Sequence, residues 1–442
     1  PPFLPMGKRE MRALGWEELD VLLVTGDAYV DHPSFGAPLL GRLLVSMGCR
    51  TGIIAQPDWT APDSLTAMGR PRLFAGVTAG ALDSMLAHYT AFRKKRSDDA
   101  YTPGGQAGSR PNRACLVYAN LVRRAFPGLF LVLGGIEASL RRVSHFDFWS
   151  DSLRKSILLD SKANLILYGM AEKGLRRLVA MLEKGETPPP SDLARLPGAV
   201  LAADDTCVPQ GTDLKTLPSH EAMEAEPGLL MEATQALEQQ VHRADHYRIQ
   251  NCGGRSVLLS PPVHLATQEL DELYSLPFSR RAHPSYAEPI PAADMIRDSI
   301  TSHRGCAGGC SFCALALHQG RRIRSRSRQS ILAEARAMGR SAKKGVAITD
   351  VGGPSAGMWE ARCTADPSRC KRASCLTPRI CKHFQADQQG YLALLRELKG
   401  LDCVRSVRVA SGLRMDLALT EADAARAVVR EFTGGQLKVA PE

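Results

Sequence analysis

Cys306, Cys310 and Cys313 fall within eight residues, in the stretch His303-Arg-Gly-Cys-Ala-Gly-Gly-Cys-Ser-Phe-Cys313. The Cx3CxxC spacing puts three thiolates on one short loop, close enough to bind three irons of a single [4Fe–4S] cube. A fourth cysteine would close the cluster. Three leave one iron with an open position, which is what a metal centre needs if it is to bind a substrate. Gly308 and Gly309 let the backbone wrap tightly around a bulky group, and the residue before the last cysteine, Phe312, is aromatic. A partial zinc knuckle would want a further Cys or His partner nearby, and buried apolar thiols are the other alternative. The spacing favours the open iron–sulfur cluster.

Cx3CxΦC, with Φ aromatic, resembles the signature of the radical S-adenosylmethionine (SAM) enzymes. Words elsewhere resemble more specifically the YgiQ-type radical SAM proteins: Thr25-Gly-Asp-Ala-Tyr-Val-Asp-His-Pro-Ser-Phe-Gly36, Gly134-Gly-Ile-Glu-Ala-Ser-Leu-Arg-Arg142, His318-Gln-Gly-Arg321 and Asp350-Val-Gly-Gly-Pro354. These words span most of the chain. The resemblance implies a cluster whose open iron binds the amino and carboxylate groups of SAM and passes one electron to its sulfonium. Methionine and a 5′-deoxyadenosyl radical result, and the radical abstracts hydrogen from a substrate that the resemblance does not supply. An electron donor such as flavodoxin or ferredoxin is the implied partner. The cofactor does the hard chemistry while the protein orients it.

Three further segments fall where such an enzyme needs SAM contacts. Asp350-Val-Gly-Gly353 follows a predicted strand, and Gly352 and Gly353 would let carbonyls approach the methionine ammonium. It resembles the family's glycine-rich SAM motif without the usual Gly-Gly-Glu order. In Ser411-Gly-Leu-Arg414 the hydroxyl would meet the ribose and the guanidinium would grip the carboxylate. A surface ion pair of Arg414 with Asp416 or Glu421 is the competing reading. Phe312 would support the adenine edge.

A second group, Cys363, Cys370, Cys375 and Cys381, lies in a Pro- and Arg-rich insertion with Cx6Cx4Cx5C spacing. Four thiolates suit a structural zinc or a closed iron–sulfur cluster holding the loop, with His383 a substitute ligand and reduced thiols the alternative. Cys49, Cys115, Cys207, Cys252 and Cys403 are isolated and read as core or incidental thiols.

The elements that must position these residues fall into an α/β pattern. Leu19–Val24, Cys49–Ala55, Arg72–Val77, Leu129–Leu133 and Leu165–Tyr168 read as buried strands separated by helical segments such as Ala37–Met47. Such alternation predicts parallel strands in a doubly wound, cobalamin-binding-like domain over residues 1–204. Ligands of such domains bind beyond the strands' carboxyl ends, where Asp27, Asp31, His32 and Gly36, and later Gly134, Gly135 and Glu137, fall. The DxHxxG cobalamin motif is not met, because Asp31 and His32 are adjacent and Gly36 lies four residues after His32. Binding without a protein ligand to cobalt stays open, and Asp31 reads as a helix cap at a tight turn. Residues 205–292, with a helical Glu221–Gln240 and a proline-marked stretch from Pro261 to Pro291, read as a connector, in which His283-Pro-Ser-Tyr286 could contact the cluster domain.

Residues 293–442 read as a partial (β/α)6 radical SAM barrel. Its predicted strands are Ile296–Ser302, Gly345–Asp350, Val404–Ala410 and Gln436–Ala440. Its predicted helices are Ser330–Gly339, capped by Ser330 with Glu334 in the first turns, then Tyr391–Leu398 and 422–431. The cysteine loop follows the first strand, where barrel enzymes carry reactive groups. Two strands of six are missing, so the chain reads as C-terminally truncated.

In 442 residues, 44% hydrophobic and 23% charged composition is that of a soluble two-domain protein. No apolar run is long enough for a membrane span and no signal peptide is recognisable, so the chain reads as cytoplasmic. Twelve clustered cysteines point to metal or redox work rather than a secreted disulfide scaffold. The +10 net charge would suit nucleic acid, yet Arg93–Arg96 and Arg321–Arg328 are its only concentrations. They read as a solvated basic face, with RNA left open. The rival function from another class is an iron–sulfur electron-transfer or redox-sensing protein without substrate chemistry.

Overall fold

The computed structural model describes residues 1–342 and 344–440. The chain divides into two compact units, Pro1–Val263 with Pro277–Ala293, and His264–Leu276 with Asp294–Glu442.

The first unit is built on a sheet with nine strands among the described residues: β1 (Val21–Thr25), β2 (Thr51–Ala55), β3 (Phe74–Thr78), β4 (Phe130–Gly134), β5 (Leu165–Leu167), β6 (Ala199–Ala202), β7 (Leu214–Thr216), β8 (Tyr247–Cys252) and β9 (Arg255–Leu259). Their spatial order is β2-β1-β3-β4-β5-β6-β9-β8-β7. The first five are parallel, as their continuous apolar runs require of strands covered on both faces. From β6 onward the sheet is mixed, since β6 runs antiparallel to β5 and to β9, and β9 to β8. The core gathers Val21, Leu23, Ile53, Phe74, Val132 and Leu167 with helix residues Leu175 and Leu178.

The segment expected to be a connector therefore departs from that expectation. Residues 214–259 supply three strands of this sheet, because Tyr247, Cys252 and Val257–Leu259 are apolar enough to be buried in it. The predicted helix over 221–240 is two helices, His220–Ala225 and Leu229–Arg243, separated by Pro227 and Gly228. Thr267–Tyr274 belongs to the second unit, and the proline-marked 277–293 stretch returns to the first.

Asp31 also differs from expectation. It caps no helix: the helix that follows, Gly36–Ser46, starts after Phe35 without a side-chain cap. Its carboxylate is fully buried and accepts from Arg42 Nε at 3.0 Å and Nη2 at 2.6 Å, and from the Ser279 amide at 2.7 Å. The pair fastens the loop after β1 to the first helix and to the 277–293 stretch.

In the second unit, β10 (Ser299–Thr301) pairs in parallel with β12 (Asp350–Gly352), and β11 (Val346–Ile348) with β13 (Val404–Val407). β11 and β12 are two halves of one strand course broken at Thr349. β14 (Leu413–Arg414) pairs in parallel with β15 (Val439–Ala440). The first three expected strands pair in chain order, though shorter than predicted, whereas the fourth pairs with Leu413–Arg414, which was not expected as a strand. Helix α1 (Arg328–Ser341) buries Ile331, Leu332, Ala335 and Met338, an i, i+1, i+4, i+7 stripe. Helix α2 (Gln388–Lys399) adds Tyr391, Leu395 and Leu398, and α3 (Ala422–Phe432) adds Val428 and Phe432 to the same core.

The cap of α1 is Ser327, whose hydroxyl accepts from the Ser330 amide at 3.1 Å, one turn before the predicted cap. Ser330 instead accepts from Arg326 Nη2 at 2.7 Å, and Glu334 pairs with the same guanidinium. Arg326 also donates to the Thr301 carbonyl at 3.0 Å and lies 4.5 Å from the Tyr274 ring centre. With Arg321 5% and Arg326 1% exposed, the basic run at 321–328 is partly a structural pillar rather than a solvated face.

Breaking one partner of a buried ion pair leaves an uncompensated charge and costs about 3–5 kcal/mol. Arg42→Met is therefore expected to bring the first unit's unfolding transition to lower temperature in calorimetry, with the second unit's transition unmoved. An unchanged first transition would contradict the anchoring role of the pair.

Candidate metal and cofactor site

The cysteine loop begins where β10 ends. Ser302 donates its amide to the Gly352 carbonyl at 2.7 Å, and His303–Arg304 pairs antiparallel with Arg324–Ser325. The amide of Gly305 donates to Gln319 Oε1 at 3.0 Å and that of Cys306 to the Gly320 carbonyl at 3.1 Å. The His318–Arg321 word thus closes the base of the loop. Within it, Cys313 donates its amide to the Cys310 carbonyl at 3.0 Å.

Two of the three sulfurs lie beside Gly308. A Cβ at that glycine would lie 3.1 Å from Cys310 Sγ, 3.5 Å from Cys306 Sγ and 2.8 Å from Arg414 Nη1. A side chain at residue 308 would collide with these groups, so the close approach requires glycine. A [4Fe–4S] cube fits such a donor set, because its thiolates occupy separate corners rather than surrounding one point. Cys306, Cys310 and Cys313 are each partly exposed, and Phe312 is 83% exposed at the loop's tip.

The insertion holds the loop from one side. Arg321 donates to the Arg372 carbonyl at 2.6 Å, Ser374 Oγ donates to the Gly308 carbonyl, and the Cys375 amide donates to the Ala307 carbonyl at 3.0 Å. Ala307 is buried with Met358, Ala361, Cys375, Leu376 and Phe384, and Cys306 packs at the edge of this cluster. Sequence reasoning missed Ser374 and Arg321 as loop contacts. A Ser beside a Cys carries no signal of a partner 66 residues away.

Of the second cysteine group, Cys375 is buried, Cys370 and Cys381 are half-buried and Cys363 is exposed on a hairpin opposite Phe384. The Cys381 amide donates to the Cys375 carbonyl at 2.7 Å, and burial pushes the Cys375 thiol up to about 11. All twelve cysteines are free thiols. Among the described residues no three His, Cys, Asp or Glu side chains gather closely enough to hold one metal ion. A zinc site in the insertion, with bonds of about 2.3 Å, has no support from this geometry.

The expected SAM-contact residues fall into two places. Asp350 Oδ1 accepts from the amides of Ala410 and Ser411 at 2.7 and 2.9 Å, and Oδ2 accepts from the Ser411 hydroxyl. Gly352 faces Ser411, and a Cβ there would lie 2.4 Å from its Oγ. The Ser411 hydroxyl, expected at the ribose, is thus engaged with Asp350. Arg414 is 1% exposed and donates through Nε to Asp416 at 3.0 Å, with Nη1 4.0 Å from Cys310 Sγ. Its ion pair with Asp416 is therefore internal. Glu421, the other expected partner, accepts from the Gln388 and Gln389 amides instead.

His303 was not singled out from sequence. It is 1% exposed, shares Nδ1 with Ser302 Oγ at 2.9 Å, and lies so close to Gly353 that a Cβ there would stand 2.6 Å from Nε2.

In the first unit, the strand order reverses between β1 and β3, where doubly wound sheets bind ligands. Here the chain's own groups fill that end. Asp27 pairs with Arg110 at 2.9 Å and accepts from the Ala81 amide at 2.6 Å, and burial, opposed by Arg110, pushes its carboxyl up to about 6. Glu137 is buried and accepts from the Ser84 and Cys115 amides, both at 2.9 Å. His32 is 1% exposed, its Nδ1 accepting from the Ser34 amide at 3.1 Å and its Nε2 lying 3.0 Å from Arg280 Nη1. Neither ring nitrogen is presented to a ligand, so this imidazole does not fit a cobalt-ligating role.

Two expected outcomes follow from the loop. Gly308→Ala puts a methyl group into the sulfur cradle; reconstituted protein should bind far less iron than wild type, while Gly7→Ala, in open space, binds the same amount. Equal iron in both would contradict the cradle. Burial also lowers the His303 pKa from 6.5 to about 4. Between those values the unfolded chain binds more protons, so stability is lost as pH falls, by ~3 kcal/mol in all. His303→Gln should flatten the acid dependence of the second unit's unfolding, and an unchanged slope would contradict the assignment.

Comparison with known proteins places these features in a family. The family model described as Radical SAM N-terminal matches residues 3–299. A UPF0313 protein of Geobacter sulfurreducens is 47% identical over 446 residues, covering 100% of this chain and 73% of that protein. A UPF0313 protein of Thermotoga neapolitana is 45% identical over 452 residues, covering 78% of its length. Among solved structures, the radical SAM methyltransferase TsrM of Kitasatospora setae, with tryptophan and a SAM analogue bound, aligns at TM-score 0.45 and 16% identity over 92% of this chain and 57% of its own. A likeness of that size transfers neither ligands nor arrangement. No helix among the described residues is long and apolar enough to cross a membrane. On the strength of the full-length sequence relatives, the chain belongs to the YgiQ-type (UPF0313) family of radical SAM enzymes.

Proposed function

We propose that Cys306, Cys310 and Cys313 hold a [4Fe–4S] cluster with one open iron, and that the chain cleaves SAM beside it to act on a substrate not identified by its chemistry. The observation that supports this reading is the Cx3CxxC spacing on a loop that leaves the carboxyl end of a parallel strand, with the Cys306 and Cys310 sulfurs both beside Gly308. Bound there, such a cluster supplies one electron, taken from a donor such as flavodoxin or ferredoxin, to break the sulfonium bond of SAM and give methionine and a 5′-deoxyadenosyl radical that takes a hydrogen atom from substrate.

The chain's own residues have three tasks. The insertion, through Ser374 and the Cys375 amide, fixes the backbone carbonyls of Gly308 and Ala307, so that the thiols keep their spacing. Asp350 draws the turn at Ala410–Ser411 onto the end of β12, fixing the Gly352–Gly353 backbone where the SAM methionine moiety would lie. Glycines there let Ser411 and His303 approach the strand closely, since no Cβ intervenes. Phe312, exposed at the loop tip, would lie against the adenine edge.

Replacing Cys306, Cys310 and Cys313 together by Ala is expected to abolish the visible iron–sulfur absorbance after anaerobic reconstitution and, with dithionite as reductant, the production of 5′-deoxyadenosine from SAM. A triple variant that keeps the wild-type iron content would contradict the ligand assignment. Wild-type protein that binds iron and SAM yet never cleaves SAM would favour an electron-transfer or redox-sensing protein.

A further inference from the structure

Beside the thiols stands a buried cation whose place differs from the one its sequence suggests. Arg414 is held along its Nε–Nη2 edge by the Asp416 carboxylate, with Nε donating at 3.0 Å. That grip leaves Nη1 as the guanidinium atom nearest the loop, 4.0 Å from Cys310 Sγ. The same nitrogen, Cys310 Sγ and Cys306 Sγ lie 2.8, 3.1 and 3.5 Å from one point, the position of a Cβ on Gly308. A cation and two sulfurs therefore crowd around one point. With the arginine only 1% exposed, water and salt screen it weakly.

A guanidinium stays charged at every working pH. Cluster potentials respond to net charge and to hydrogen bonds received by the sulfurs. Reduction adds one negative charge to the cluster, so a fixed cation beside a ligand sulfur favours the reduced state. Asp416 offsets part of this charge, but it binds the other edge of the guanidinium.

Resting on the cluster reading above, we propose that Arg414 is a positioning residue for that cluster: Nη1 donates to the Cys310 thiolate, orients it, and raises the reduction potential. In this role it is not the grip on the SAM carboxylate. Removing the cation is expected to shift the reduction equilibrium about tenfold toward the oxidised cluster, which is 59 mV for a one-electron couple.

The test uses the full chain, reconstituted anaerobically, as wild type, Arg414→Gln, Arg414→Lys and Asp416→Asn. Three quantities are read: iron per chain, the midpoint potential by redox titration followed by electron paramagnetic resonance, and the SAM dissociation constant. Arg414→Gln should keep its iron and lie about 59 mV below wild type. Arg414→Lys should recover most of that shift, and SAM affinity should stay within about twofold. Unmoved potential in the Gln variant, or a loss of SAM affinity with no change in potential, overturns the proposal and returns Arg414 to the carboxylate. Where the Gln variant assembles no cluster, Asp416→Asn decides, because it keeps the cation and removes its counter-charge. A potential above wild type supports the proposal, and one equal or lower overturns it. A wild-type protein that takes up no iron overturns both this inference and the cluster reading, whereas a loaded wild type with immovable potentials overturns this inference alone.

Discussion

A loop of eight residues with two glycines cannot fix three thiols by its own packing, so its geometry must be imposed by what surrounds it. Here the imposition comes through backbone carbonyls. Gly320 receives the Cys306 amide, Ala307 accepts from Cys375, and Gly308 accepts from Ser374. Each of these bonds is modest alone, about 1 kcal/mol net, but together they fix the path of the chain on both sides of Gly308. The buried guanidinium of Arg414 then closes the remaining face. The rest of the second unit serves this arrangement. β10 delivers the loop, β12 lies beside it in register, and the Asp350 carboxylate, at the start of β12, ties the turn before β14, hence Arg414, to that strand.

The insertion has a part in this that its composition hides. Polar, Pro-rich and poor in helix or strand, it resembles a surface excursion. Its inner edge is apolar, however, with Leu376 and Phe384 buried against Ala307. The insertion is a brace for the cysteine loop, and the four cysteines within it are not gathered around one ion among the described residues. In the first unit Arg110 joins Asp27 and Asp99 in buried ion pairs at the strand ends where doubly wound sheets bind ligands.

Much of this was legible in the sequence wherever the signal was local. Apolar runs at Val21–Val24 and Phe130–Leu133 marked parallel strands, and the α1, α2 and α3 stripes marked their helices. The cysteine spacing and the Asp350-Val-Gly-Gly word named the residues of the candidate site. Long-range partnerships were not legible. Tyr247-Arg-Ile-Gln-Asn-Cys252 mixes polar and apolar residues beside a proline-rich stretch, so one flank of the sheet read as a connector. The Asp31 signature of a cap was equally that of a buried ion pair, decided by Arg42 and Ser279 from 11 and 248 residues away. Arg326 looked like one charge in a basic face, because nothing nearby in sequence announces Tyr274. Arg414 reads from sequence either as a ligand grip or as one side of an ion pair with Asp416, and its 4.0 Å distance from Cys310 exists only in the fold.

The central claim is that three thiolates leave one iron open to SAM. Electron–nuclear double resonance of the reduced wild-type cluster, with SAM isotopically labelled at its amino nitrogen and carboxylate oxygens, tests it most directly. The account predicts hyperfine couplings from both labels, large enough for direct coordination to one iron. A reduced cluster that shows neither coupling at saturating SAM would contradict it.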